Sequence, residues 1–247
     1  NMIKNKVTNN INTVNSTINK KVKSLLPLQL QYIFGVYFLG LLFFLFYRLI
    51  IFVIECFTDF ADIELGLLFK SLLMGLRFDT VVSCYVLSVF LFLMAIAAVF
   101  NIRTRYFYRP LHYILILAYA VCFLICCIDI PYFNYFSNRL NIVSLSGISF
   151  SFIIKLIVEN PIFIIYGVVY LLSLAAYLWL MYCIYNATLF KTIPPYSAKQ
   201  NIFKTISVSI VMFALCFVGS KTPSNNRFFN QIGLNPIFTL VKSYQES

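Results

Sequence analysis

Charged side chains interrupt the apolar stretches of this sequence at only a few positions, and these positions are where polar chemistry could occur. Arg48 and Glu55 lie seven residues apart, so they share one face of a helix. Arg77 and Asp79 open a second apolar stretch, and Asp129 closes a third. With the tyrosines that follow, the candidate site residues are Arg48, Glu55, Arg77, Asp79, Asp129, Tyr132, Tyr135 and Arg139.

Two interpretations of this set are open, because an ionisable side chain at membrane depth is costly unless it is paired or lines a polar cavity. In the first, the residues form ion pairs between helices, with Asp79 or Asp129 contacting a neighbouring arginine. In the second, the arginines hold the phosphate of a membrane lipid and the tyrosines surround its headgroup. A proton or ion relay is disfavoured, because no predicted span carries an acid near its middle.

Arg77 and Asp79 cannot pair with each other, because helical residues two positions apart point about 200° away from one another. Each must find a partner on another helix, and the first and third apolar stretches carry suitable charges. We therefore expect Arg77, Asp79 and Asp129 to converge, close to Tyr132 and Arg139.

The common signatures of soluble enzymes are absent from the sequence. It has no P-loop, no HExxH and no GxSxG, and His112 is its only histidine. The seven cysteines lie in or beside apolar stretches without the spacing of a zinc site, so they are interpreted as buried thiols. The sequence predicts no catalytic residue, metal site or cofactor within this chain.

The composition indicates a membrane protein. Hydrophobic residues make up 61% of the chain and charged residues 11%, whereas a soluble domain needs roughly a quarter of its residues charged. The net charge of +11 would suggest a nucleic-acid partner in a soluble protein. Here the basic residues lie between apolar stretches, where membrane orientation explains them and no nucleic acid is needed. We predict an all-α polytopic membrane protein.

Five apolar stretches approach or exceed the length of about 20 residues that crosses a bilayer. They cover residues 30–54, 80–100, 111–130, 162–185 and 202–218. Pro110 and Pro131 bracket the third stretch and predict its start and end. Lys204 dilutes the fifth, but a lysine side chain can reach the membrane interface from inside a span.

The chain divides into three parts around these spans. Residues 1–25 carry a helical stripe of Ile and Val with five lysines and no acids, which fits either a surface helix on an anionic membrane or a flexible tail. Residues 26–220 form the transmembrane domain, in which Leu65–Phe69 and Phe150–Val158 are expected to be short interfacial helices. Residues 221–247 are expected to leave the membrane on its outer side and lead to an extracellular domain.

The distribution of charge predicts the orientation. With the N-terminus inside, the cytoplasmic segments hold eleven basic residues and no acidic one, while all eight acids fall in the outer half or outside. The positive-inside bias therefore places the N-terminus in the cytoplasm and the C-terminus outside.

Three segments of the sequence resemble a known family. They are GLRFD at Gly75–Asp79, DIPYFNYFSNRLN at Asp129–Asn141 and NPIFTL at Asn235–Leu240. These segments resemble the membrane region of the lipoteichoic acid synthase-like family, the membrane-anchored branch of the alkaline phosphatase and sulfatase superfamily, in its Bacteroides-type form. The resemblance covers roughly residues 30–247 and implies a location in the bacterial cytoplasmic membrane.

The resemblance implies that this chain is the membrane anchor and lipid-presenting domain of such an enzyme and carries none of its catalytic residues. In the family, an outer α/β domain carries a threonine nucleophile and a divalent metal, and it transfers or hydrolyses a phospholipid headgroup or a sulfate or phosphate ester. The implied partners of the present chain are anionic phospholipids and its own C-terminal extracytoplasmic domain. A non-enzymatic membrane scaffold is the alternative, and a small transporter is disfavoured because the sequence has no internal repeat.

Overall fold

The structure is a computed structural model, and it describes residues 28–58, 65–100, 102, 105–136, 138–141, 162–189, 199–215, 231 and 233–246. These residues form six helices and no strand. The helices are α1 (Leu28–Thr58), α2 (Leu65–Val99), α3 (Arg105–Phe136), α4 (Ile162–Ala187), α5 (Lys199–Leu215) and α6 (Pro236–Glu246).

Helices α1 to α4 are each long and apolar enough to cross a membrane. Because a bilayer core offers no water to backbone groups, such a stretch must satisfy its own hydrogen bonds, and the α-helix does so within one segment. The protein is therefore an all-α polytopic membrane protein. The fourth predicted span, 162–185, coincides with α4 to within two residues.

The bundle alternates in direction. Tyr32, near the start of α1, bonds to His112 near the start of α3. Gly35, also near the start of α1, faces Ile184 near the end of α4. Helices α1 and α3 thus run together and α4 runs against them. We call the end of the bundle where α1 and α3 finish the polar end.

Helix α2 corrects two expectations. The predicted interfacial helix Leu65–Phe69 is instead the beginning of α2, which continues without a break to Val99 because no proline interrupts it. The apolar span within it covers Phe69–Ala97, so Asp79 lies only four residues from its midpoint. Asp79 therefore lies inside the apolar stretch and not at its start, where the predicted span 80–100 placed it.

Helix α3 corrects the boundaries that Pro110 and Pro131 predicted. The helix runs through both prolines, from Arg105 to Phe136. Each interior proline removes one backbone hydrogen bond, but packing offsets this loss at both ends. Tyr108 lies before the first proline and Phe133 after the second, and each is only 1% exposed.

Helix α5 covers most of the fifth predicted span but is only 17 residues long, and its apolar part is Phe203–Leu215. The count of five spans accordingly stays a prediction. Residues 1–25 and the predicted helix Phe150–Val158 lie outside the described residues.

Aromatic side chains form the centre of the bundle between α1, α3 and α4. The Phe123 ring lies 5.2 Å from Phe43 and 5.1 Å from Tyr177, within the range of favourable ring contacts. Gly40 of α1 faces Tyr119 of α3, where an added Cβ would lie 2.5 Å from the ring. This glycine allows α1 and α3 to approach closely.

Candidate functional site

A buried ion pair joins α1 to α2 near the polar end. Arg48 donates to both carboxylate oxygens of Asp79, over 2.6 Å from Nη1 to Oδ2 and 2.7 Å from Nη2 to Oδ1. The Arg48 side chain is 4% exposed and that of Asp79 is 0% exposed. Two parallel hydrogen bonds of this kind match the guanidinium fork to the carboxylate, and they fix the orientation of both side chains.

The local sequence of α2 explains why the pair forms here. Gly75 and Asp79 are four residues apart, so they lie on one face of the helix. The Arg48 guanidinium lies against Gly75, where an added Cβ would overlap its atoms and come within 2.5 Å of Nε. Gly75 thus provides the space for the arginine and Asp79 provides its charge partner.

A second buried ion pair lies at the end of α3. Arg139 contacts Asp129 through Nη1 and Oδ2, and both side chains are almost fully buried. The other oxygen of Asp129 accepts a hydrogen bond from the backbone N–H of Leu140 over 2.8 Å. The Asp129 carboxylate therefore holds the chain that follows α3 against the helix.

The segment before α6 bonds to both ion pairs. The Asn235 amide donates to Asp79 Oδ1 over 2.8 Å, and its own oxygen accepts from the Ile237 N–H over 2.9 Å. The second bond makes Asn235 the N-cap of α6, with Pro236 in the favoured first position. Arg139 Nε donates to the backbone oxygen of Gln231 over 2.9 Å.

Helix α6 itself packs on the bundle. The Phe238 ring lies 4.6 Å from that of Phe78 in α2. The Thr239 hydroxyl donates to the backbone oxygen of Leu140 over 2.9 Å. The segment that was expected to lead away from the membrane therefore includes a helix that folds back onto α2 and the end of α3.

The two ion pairs border one small cavity. Arg48, Cys126, Arg139 and Asn235 are among its lining residues, and its volume is about 10 Å³. Such a space holds about one water molecule, whereas ligand pockets are typically about 300–1,000 Å³. Both arginines bond to carboxylates and no room remains for a phosphate. The geometry favours the ion-pair interpretation of these residues over the lipid-headgroup interpretation.

Four of the eight candidate residues meet in one cluster together with Asn235. We define this polar cluster as Arg48, Asp79, Asp129, Arg139 and Asn235. Arg77 is half-buried and forms no ion pair with Asp79 or Asp129, all three side chains being described. Asp79 pairs with Arg48 and not with Arg77. The Tyr132 ring contacts Phe136 at 4.7 Å.

The side chains of the remaining candidates, Glu55 and Tyr135, lie outside the described residues. Sequence reasoning missed Gly75 and Asn235 as parts of the cluster. Two signals could have identified them: the spacing of four residues between Gly75 and Asp79, and the Asn-Pro pair, which is typical of a helix start.

Over the part of the chain that the structure describes, no three His, Cys, Asp or Glu residues are grouped so that they could hold a metal ion. Comparison with known proteins assigns no family, because no family model, no curated protein and no solved structure matches this chain.

Proposed function

We propose that this chain is the membrane domain of a lipoteichoic acid synthase-like enzyme. It would hold the start of a following catalytic domain at the outer surface of the cytoplasmic membrane. That domain would transfer or hydrolyse a phospholipid headgroup, or a sulfate or phosphate ester, with a divalent metal. The observation that carries the proposal is the Asn235 side chain, which caps α6 and also bonds to the buried Asp79.

The convergence of the three resembling segments supports the proposal. Gly75 and Asp79 come from the first, Asp129 and Arg139 from the second, and Asn235 from the third. The hydrogen bond between Asn235 and Asp79 joins residues 156 positions apart. A fixed exit for the chain requires residues from the bundle and from the outgoing segment, and the polar cluster contains both.

The electrostatics of the polar cluster fit an anchor better than a transporter. Its two arginines and two aspartates compensate each other in direct contact, and a buried charge with a partner in good geometry stays where it is. A transport site would instead leave donors or acceptors available to a solute near the middle of the membrane. The cavity of about 10 Å³ offers no such site in this cluster.

The proposal is tested with the full-length gene product in vesicles that contain phosphatidylglycerol labelled in its headgroup. We expect headgroup release that requires an added divalent metal. Asn235→Ala removes a hydrogen bond to a charged group and a helix cap, so it should let the outgoing chain shift. A misplacement of about 1 Å can lower an enzymatic rate by about 100-fold, so the released headgroup should fall measurably.

The matched control is Val241→Ala, which changes an exposed side chain of the same helix and should leave the rate unchanged. A gene product with no metal-dependent activity on phospholipid, sulfate or phosphate esters would contradict the proposed enzyme. Equal rates for Asn235→Ala and the control would contradict the role of the polar cluster and leave the enzyme assignment standing. If the gene product has no such activity, a non-enzymatic membrane scaffold is the alternative.

A further inference from the structure

A groove lies between α3 and α4 at the end of the bundle opposite the polar cluster. Its volume is about 580 Å³, which is within the usual range for small-ligand sites. Its lining residues are Arg109, His112, Tyr113, Ile116, Leu178, Tyr182, Tyr185 and Asn186. The polar cluster contributes none of them, so the groove is a separate feature of the molecule.

The polarity of the groove changes in the same order along both helices. On α3 the lining runs from Arg109 through His112 to Ile116, from the helix start inwards. On α4 it runs from Asn186, at the helix end, through Tyr182 to Leu178. Each wall is therefore polar at the membrane boundary, aromatic one turn deeper and aliphatic below that. This gradient matches an amphiphile whose headgroup lies at the interface and whose chain enters the bilayer.

The charge of the groove selects an anion. Arg109 is exposed, and within the described residues it forms no ion pair. The lining contains no acidic residue. Arg103 and Arg105 precede Arg109 in the sequence and add to the basic character of this segment. Basic pockets between transmembrane helices commonly bind the phosphates of anionic lipids.

One wall of the groove is held in place by hydrogen bonding and ring contact. The Tyr32 hydroxyl lies 2.8 Å from His112 Nδ1, and the Tyr185 ring lies 4.4 Å from the imidazole. These contacts fix the histidine ring, and the other ring nitrogen forms no hydrogen bond with a described residue. When the Tyr32 hydroxyl donates to Nδ1, that other nitrogen carries the proton and can donate to a phosphate oxygen of a headgroup.

From this arrangement we infer that the groove binds an anionic phospholipid of the bilayer, with its phosphate at Arg109 and an acyl chain along Ile116 and Leu178. The inference does not depend on the proposed enzyme, because it uses only the groove and its lining. The ligand class is a phosphate monoanion joined to an apolar chain.

The only tryptophan of the chain, Trp179, does not line the groove but is the sequence neighbour of a lining residue, so its quenching reports the lipid around this part of α4. Trp179 is 65% exposed and follows the lining residue Leu178 on α4. The full chain is placed in vesicles that contain either brominated phosphatidylglycerol or brominated phosphatidylcholine at equal fractions, and quenching of Trp179 is measured. We expect stronger quenching by phosphatidylglycerol, because the groove should bind it about fivefold more tightly than phosphatidylcholine. This ratio corresponds to roughly 1 kcal/mol for one basic residue at an anionic surface.

Two variants assign this preference to the groove. Arg109→Gln should lower the ratio of the two affinities to about one. Lys70→Gln removes an exposed charge from the start of α2 and should leave the ratio unchanged. Leu178→Phe narrows the groove and should also lower the preference. Leu172→Phe is its control, since Leu172 is a 68% exposed residue of α4 outside the groove.

Equal quenching by the two lipids would overturn the inference. So would a preference that Lys70→Gln lowers as much as Arg109→Gln, because it would then reflect overall charge. Soluble glycerol phosphate is added as a competitor. If it abolishes the preference, the site recognises phosphate alone and the lipid assignment is wrong; if the preference persists, the acyl chain contributes and the lipid assignment is supported.

Discussion

Buried arginine and aspartate side chains are the most expensive groups in this protein, and both ion pairs meet the conditions under which such groups are tolerated. Removing a charged group from water costs several kcal/mol, and only a partner in good geometry, with further hydrogen bonds, offsets this cost. The oxygens of Asp79 accept from Arg48 and Asn235. Those of Asp129 accept from Arg139 and the Leu140 N–H.

The Arg48–Asp79 pair should behave as one unit in a double-mutant cycle. Asp79→Asn or Arg48→Met alone leaves a buried charge without its partner and should lower the free energy of unfolding by about 3–5 kcal/mol. Arg48→Met with Asp79→Leu removes both charges, so it should cost much less than the sum of the single changes. The measurement is unfolding by denaturing detergent, with Lys70→Gln as the surface control. Strictly additive losses would show that the two residues do not stabilise each other.

At the scale of the element, α2 combines a long apolar helix with one narrow polar face. Gly75 and Asp79 provide that face, and α1 contributes the arginine that fills the space over the glycine. Helix α6 begins at the same place because Asn235 caps it and reaches Asp79. The packing of α1 on α2 and the docking of α6 thus share one turn of α2.

Gly75→Ala should be far more damaging than other glycine substitutions in the same helix. The added methyl group overlaps the Arg48 guanidinium, so either the ion pair or the helix spacing must change, at a typical cost of about 1–3 kcal/mol. Gly66→Ala is the matched control, because a Cβ there meets nothing within 4 Å. Alanine favours the helix by about 1 kcal/mol over glycine, so the control should be neutral or stabilising.

Thermal unfolding of the two variants in the same detergent tests this difference. A Gly75→Ala protein as stable as Gly66→Ala would mean that Arg48 does not occupy the space above Gly75.

The orientation of the whole protein across the membrane is predicted from the distribution of charge along the sequence. Arg105 and Arg109 lie in the first turns of α3, at the end opposite the polar cluster, and Arg103 precedes them in the sequence. The polar cluster is balanced, with two arginines and two aspartates, and so contributes no orientation signal. The positive-inside bias therefore predicts that the polar end is extracytoplasmic.

Cysteine labelling of intact cells tests this orientation. In a background without the native cysteines, Arg105→Cys should be protected from a membrane-impermeant thiol reagent, and Asn225→Cys should react with it. Each position provides the control for the other, since permeabilised cells should label both. Labelling of position 105 and protection of position 225 in intact cells would reverse the orientation and remove the support for an outer catalytic domain.

Hydropathy along the sequence is enough to predict a polytopic bundle of helices, because apolar length and composition are local properties of each stretch. Its prediction for 162–185 agrees closely with α4. The sequence predicted the ends of the helices less reliably. Pro110 and Pro131 predicted ends for α3 that packing of the adjoining turns overrides, and Leu65–Phe69 continues into α2.

Which charges meet depends on how the helices pack. The candidate set offered Asp79 two arginines outside its own helix, Arg48 and Arg139. Hydropathy does not specify how a helix is rotated about its axis or which helix lies beside it. The bundle brings Arg48 to Asp79 across 31 residues of chain and Asn235 to the same carboxylate across 156. Helix rotation and neighbour choice arise from contacts such as those at Gly40 and Gly75, which exist only after the helices have packed.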